Sequence, residues 1–190
     1  MWMIESERYQ DAIFMVHALG KLFRISLSRG RNIITVGEEL QHAGSYLDIQ
    51  KYRYKNKFTS FFEVEEGIEK YRTIKLIIQP LIENAIYYGV GNMDEDEGGK
   101  IIVRGEQKGN DIFLSVEDNG MGMSQEVVDN LLTNSEKVPK HGSGVGLINV
   151  HTRIQLMFGK EYGLKIYSEP DEGTKAVIPV SYTHLTLPTT

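Results

Sequence analysis

The stretch Val116-Glu117-Asp118-Asn119-Gly120-Met121-Gly122-Met123 sets a carboxylate, Asp118, directly before two glycines spaced two apart. The apolar run from Ile112 to Val116 predicts a strand that delivers the chain to this point. Gly120 and Gly122 would then let bare backbone approach a flat ligand, while Asp118 accepts a hydrogen bond from it. In isolation the same residues also read as a surface Asp-Asn-Gly turn closing a strand. The surrounding elements bear on that choice.

Around this strand the periodicity alternates between helix and sheet. On the C-terminal side, a short helix capped by Ser124 leads into the aperiodic segment Thr133 to Lys140. A helix from about Gly146 to Phe158 follows, closed by Gly159, and then strands Leu164 to Ser168 and Lys175 to Val180. Upstream, Ile101 to Gln107 pairs with Ile112 to Glu117 as a hairpin turning at Lys108-Gly109-Asn110-Asp111. Before the hairpin, Ile74 to Tyr88 predicts a helix with Gly89 as its stop, and Pro80 inside it calls for a helix start nearby or a kink. Lys57 to Glu65 reads as a strand. Further upstream still, the spacing predicts a helix over residues 5–28 and a second from Thr35, where Thr35 and Glu38 make a capping box. The expected architecture is α/β, a two-layer α/β sandwich with a mixed sheet, preceded by an α-helical hairpin. We place the hairpin at residues 1–55, the sandwich at 56–180 and a tail, read as non-native, at 181–190.

With 190 residues, the chain has room for one domain with a real core and a smaller appendage. A net charge of −5 argues against nucleic acid as a partner, so a bound phosphate would rest on backbone N–H groups and metal. The absence of cysteine excludes disulfides and thiolate metal sites. No apolar run approaches the ~20 residues of a membrane span.

Three further elements are candidates for chemistry. Glu83-Asn84 stands near the end of the Ile74 helix. Asn84 suits Mg²⁺, which prefers hard oxygen ligands, and Glu83 could orient or deprotonate an acceptor; both could equally decorate a solvated helix face. Gly142-Ser143-Gly144-Val145-Gly146-Leu147 enters a helix, where orphan N–H groups and the helix dipole favour phosphate oxygens, unless the glycines form a hinge. No Gly-Lys-Ser/Thr follows, so this is not the Walker pattern. Gly173-Thr174 opens the last strand, with a hydroxyl able to bond an adenine edge or a bridging water.

In the order Asn84, Asp118-x-Gly-x-Gly, Gly-x-Gly-x-Gly-Leu and Gly-Thr, these elements resemble the N, G1, G2 and terminal boxes of the Bergerat-fold ATPases. The stretches Ile78-Gln79-Pro80-Leu81-Ile82-Glu83-Asn84-Ala85-Ile86 and Gly144-Val145-Gly146-Leu147-Ile148-Asn149-Val150-His151-Thr152-Arg153-Ile154 are similar to bacterial sensor histidine kinases of the YesM/LytS-like subgroup. The resemblance implies that Asn84 holds Mg²⁺, Asp118 the adenine amino group, Gly120 and Gly122 the adenine wall, and Gly142, Gly144 and Gly146, with Leu147 closing the box, the phosphates of ATP. It makes Leu131 to His141 the ATP lid. Lys140, His141 and Arg153 become candidates for extra phosphate charge, Thr174 a cofactor contact and Glu83 the catalytic base.

The implied activity is transfer of the γ-phosphate of Mg-ATP to a histidine and its relay to a response-regulator receiver domain. The setting would be a homodimer joined through the helical hairpin, in the cytoplasmic portion of a membrane-anchored protein. The Pro-His-Phe-Leu-type phosphoacceptor motif of that subgroup is not found in these residues, and His17 and His42 read as surface or packing histidines. The chain alone is therefore expected to bind nucleotide without phosphorylating itself. The competing readings are a clamp ATPase of the same superfamily, with Glu83 activating water, and a non-catalytic nucleotide-binding dimerisation module.

Overall fold

The computed structural model describes residues 8–27, 30–94, 98–132 and 144–181. Helix α1, Tyr9–Leu27, is followed by strand β1, Ile33–Thr35, and helix α2, Val36–Arg53. The capping box forms as expected: Glu38 N–H donates to the Thr35 hydroxyl at 3.1 Å and Thr35 N–H to the Glu38 carboxylate at 2.8 Å. The chain continues through β2, Phe58–Val64, a 3-10 turn at Ile68–Lys70, β3, Arg72–Ile74, and α3, Gln79–Asn84, with a π turn at Ala85–Gly89. It ends with β4, Gly99–Lys108; β5, Asp111–Asp118; α4, Gln125–Leu131; α5, Gly144–Phe158; β6, Lys165–Glu169; and β7, Gly173–Ser181.

Five strands form one mixed sheet in the order β2-β4-β5-β7-β6, where β2 runs parallel to β4 and the remaining pairs are antiparallel. Alternation decides which face is buried. Ile101 and Val103, Ile112, Leu114 and Val116, and Ala176, Ile178 and Val180 point to the helical layer and are buried. Leu147, Val150, Ile154 and Phe158 supply the facing stripe of α5, and Leu81, Ile82, Ala85 and Ile86 that of the α3 segment. On the opposite face Arg104 joins Glu63 and Glu117, and Lys175 approaches Glu117 at 3.6 Å, so a line of alternating charge crosses four strands. The expected α/β sandwich is present.

Two features differ from the sequence expectation. The helix expected from Ile74 starts at Gln79, because Arg72–Ile74 pairs antiparallel with Ile33–Thr35 as a two-strand ribbon. Strands of three residues are too short to register a period, and Pro80 takes its favoured place in the first turn of α3. Ser124 occupies the N-cap position of α4, but its side chain makes no capping hydrogen bond; its carbonyl accepts from Val127 and Val128 instead.

The core is continuous across residue 56. Val36, Leu40, Ala43 and Leu47 of α2 belong to the same buried cluster as the sheet and α5. In α1, by contrast, Ala18 and Ile25 are buried while Ile13, Val16, Phe23 and Leu27 stay exposed. A further tie joins the two helices. Ser26 donates its one hydroxyl proton to the Leu22 carbonyl, so the 2.9 Å contact with His42 is a donation from the His42 Nε2–H. Burial lowers the His42 pKa, which fits a neutral packing residue.

Because the Thr35 cap starts a helix whose apolar face belongs to the main core, Thr35→Ala should cost about 1 kcal/mol of stability. In a thermal melt that is a fall of roughly 2–4 °C for a protein of this size.

Candidate functional site

The site is built where β5, β7 and β6 end side by side. Register places Asp118 opposite Thr174, and Thr174 opposite Ser168, in one row on the helix-covered face. Asn119 fastens the row's edge: its side chain accepts from Lys100 N–H at 2.6 Å and donates to the Gly98 carbonyl at 3.3 Å. Asp118 is 6% exposed and accepts the N–H of Gly120 at 2.9 Å. Burial pushes its pKa up to about 6, with the nearby Glu117 charge adding to the rise, while the N–H groups of Gly120 and Thr174 oppose it.

Ser168 went unnoticed in the sequence, yet it organises the row. Its hydroxyl donates to the Gly173 carbonyl at 2.8 Å and accepts from Met123 N–H at 2.8 Å. With that proton spent, the 2.9 Å contact with Thr174 must be a donation from the Thr174 hydroxyl. Thr174 therefore offers lone pairs to a ligand or water and no proton. A serine in an alternating strand gives no sequence signal; only the register beside Thr174 reveals it.

The glycines have a second reason to be glycine. A Cβ on Gly120 would collide with the backbone of Gly89, which itself lies against the Asp118 carboxylate. Gly122 has φ +62, and a Cβ there would strike the Glu169 carbonyl. Close approach of chain to chain thus accounts for both positions, beside the approach to a flat ligand expected from the sequence.

The α3 segment reaches the row through Gly89. Asn84, at the end of α3, is buried, and Glu83 beside it is half-buried, accepting from the Gln79 side-chain amide at 2.8 Å. Gly146 lies in the first turn of α5 against Pro80, and Leu147 is buried in the core. Helix α5 begins at Gly144, two residues ahead of the expected Gly146. The expected contacts Lys140, His141 and Gly142, and the lid apart from Leu131 and Leu132, lie outside the described residues.

Arg153 stands elsewhere. Its guanidinium donates to the carbonyls of Lys75 at 2.7 Å and Leu76 at 3.4 Å, so it braces the loop before α3. The helical phase of α5 turns this side chain toward the loop, a contact that sequence position near the glycines did not suggest. Glu39, a second residue not singled out, is fully buried and accepts from the N–H groups of Leu76, Ile77 and Ile78 at 2.7–2.9 Å. Its place on the apolar stripe, between Val36 and Ala43, was the available signal.

The family model described as histidine kinase-, DNA gyrase B-, and HSP90-like ATPase matches residues 69–184, and the histidine kinase model matches residues 1–58. The chain belongs to this ATPase family, which implies ATP as its ligand. It is 30% identical over 179 residues to the sensor histidine kinase YesM of Bacillus subtilis, covering 94% of this chain and 29% of YesM. It is also 30% identical over 183 residues to the sensor protein LytS of Staphylococcus saprophyticus, covering 96% of this chain and 30% of that protein. The chain thus spans about three-tenths of the length of these relatives. The nucleotide-free catalytic domain of the histidine kinase ThkA shares the fold with a TM-score of 0.58 at 17% identity, covering 79% of this chain and 94% of that one. So does the Acinetobacter baumannii histidine kinase AdeS, with a TM-score of 0.55 at 17% identity over 96% of this chain and 85% of that one.

The raised pKa of Asp118 has a measurable consequence. Its contribution to stability is complete below the ordinary aspartate range and is lost as pH rises through about 6. Asp118→Asn should match the parent at about pH 3 and exceed it by up to about 3 kcal/mol at about pH 7.5, read from unfolding curves across that range.

Proposed function

We propose that this chain is the ATP-binding catalytic portion of a sensor histidine kinase, which passes the γ-phosphate of Mg-ATP to a histidine for relay to an aspartate of a response-regulator receiver domain. The observation that carries the reading is the Asp118 row. A carboxylate is kept among buried groups at a cost to stability, beside an acceptor-only threonine and at the foot of the α3 segment. An adenine amino group repays that cost by donating to the carboxylate. Gly120 and Gly122 form the wall beside it, and Gly142, Gly144, Gly146 and the adjoining Leu147 carry the triphosphate at the start of α5, assisted by Lys140 and His141.

The donor set fits magnesium. Among the described residues no group of three acidic, histidine or cysteine side chains could hold a metal ion, so a transition-metal cage is not on offer there. The buried Asn84 supplies one hard oxygen, and phosphates and waters complete the shell that Mg²⁺ prefers. The ion would neutralise charge on the phosphates during transfer. Glu83, whose carboxylate accepts from the Gln79 amide, would act as the base.

Helix α1 supports homodimerisation in the intact protein. Its exposed Ile13, Val16, Phe23 and Leu27 make an apolar face that a second hairpin can cover. Among the described residues no helix is long and apolar enough to cross a membrane; that the relatives are named sensor proteins supports a membrane anchor in the intact protein.

Mg-ATP at about a hundred times its Kd should stabilise the chain by roughly 2.7 kcal/mol, a rise of about 5–11 °C in Tm. Asp118→Ala should abolish the rise, and EDTA should weaken triphosphate binding in the parent far more than in Asn84→Ala. A shift that survives Asp118→Ala undiminished contradicts the proposal.

A further inference from the structure

Helix α2 touches the α3 segment through polar groups set two turns apart on one stripe. At the first, the Glu39 carboxylate takes the N–H groups of Leu76, Ile77 and Ile78, the three residues that lead into α3. Leu76 is held there at φ +58, a left-handed conformation that leucine adopts only when its surroundings impose it. Arg153 takes the carbonyls of the same loop from the side of α5, and Lys75 reaches back to the Ser26 carbonyl of α1 at 3.1 Å. At the second, the Tyr46 phenol stands beside the Glu83 carboxylate and Gln50 of its own helix, and burial together with the Glu83 charge raises its pKa. Both contacts fall on the segment that ends in Asn84.

We propose that Glu39 and Tyr46 are positioning residues through which the helical hairpin sets the place of Glu83 and Asn84, and hence the magnesium-dependent part of ATP binding and phosphoryl transfer. This rests on the nucleotide reading of the site given above. The loop has little freedom of its own: its N–H groups belong to α2 and its carbonyls to α5, so a movement of α2 along its axis must carry the start of α3 with it. The adenine end is fastened differently, by Asp118 and the strand register, and contains no group from α2. The hairpin therefore acts on the metal and phosphate end of the site while leaving base recognition alone. A carboxylate serving only as a packing group would stabilise the fold without distinguishing the two ends.

The test separates them. ATP affinity is measured with Mg²⁺ and with EDTA for the parent chain, Tyr46→Phe, Glu39→Gln and Asp118→Ala, together with Tm. Tyr46→Phe and Glu39→Gln should keep the magnesium-free affinity within twofold of the parent and lose at least fivefold of the gain that magnesium gives. Tyr46→Phe retains the ring and its packing, so it remains informative if Glu39→Gln proves too unstable to assay. An unchanged magnesium-dependent gain in folded Tyr46→Phe overturns the proposal. If Asp118→Ala binds ATP as the parent does, or the parent does not bind it, the nucleotide reading fails, and the positioning role falls with it.

Discussion

The buried carboxylate of Glu39 is the contact on which the arrangement of helices depends. Taking such a charge out of water costs several kcal/mol unless hydrogen bonds and opposite charge repay it. Three backbone N–H donors and the Arg153 guanidinium make that repayment, although burial still raises the Glu39 pKa. Removing the carboxylate would strand three N–H groups in the core, each at about 1–3 kcal/mol. An apolar residue of similar size could not replace it, because the loop it holds has no regular secondary structure to satisfy its own amides. The left-handed Leu76 is tolerated for the same reason: the surrounding bonds fix a conformation that local preference resists.

A second constraint operates at the sheet's end, where a buried carboxylate costs stability. Asp118, Thr174 and Ser168 lie in register, so the row exists only because β5, β7 and β6 pair as they do. Glycines at 89 and 120 let the α3 segment lie directly on the carboxylate. The packing that buries Asp118 also raises its pKa, so burial penalises the ionised form that an amino-group donor would meet. The chain's charge of −5 sharpens the point. In a net-negative protein, a triphosphate site of the kind proposed would need locally concentrated positive potential, which helix N-termini with bare glycine amides can supply.

Much of the fold was legible because its elements are long and periodic. The capping box at Thr35, the hairpin at Lys108 to Asp111 and the stripe of α5 follow from local spacing, and the structure contains each of them. The β1–β3 ribbon was not legible, since three-residue strands are stabilised by a partner some forty positions away rather than by their own pattern. The candidate site divides the same way. Asp118 and the glycines announce themselves by local chemistry, whereas Ser168 acquires its role from register and Arg153 from helical phase. Glu39 was visible as a carboxylate on an apolar stripe, but its three donors come from a loop that only tertiary structure brings to it.

The continuity of the core explains why the hairpin and the sandwich cannot be treated as independent bodies. Helix α2 gives its apolar face to the same cluster as the sheet and its polar stripe to the α3 segment, while α1 rests mainly on α2. A rearrangement of α1 would therefore reach α2 through their shared face, which includes the His42–Ser26 hydrogen bond. From α2 onward the connection is stiff, because a close-packed interior and a fully bonded loop transmit displacement instead of absorbing it. On the positioning role proposed above, a movement of α2 would be delivered through that loop to the segment that ends in Glu83 and Asn84.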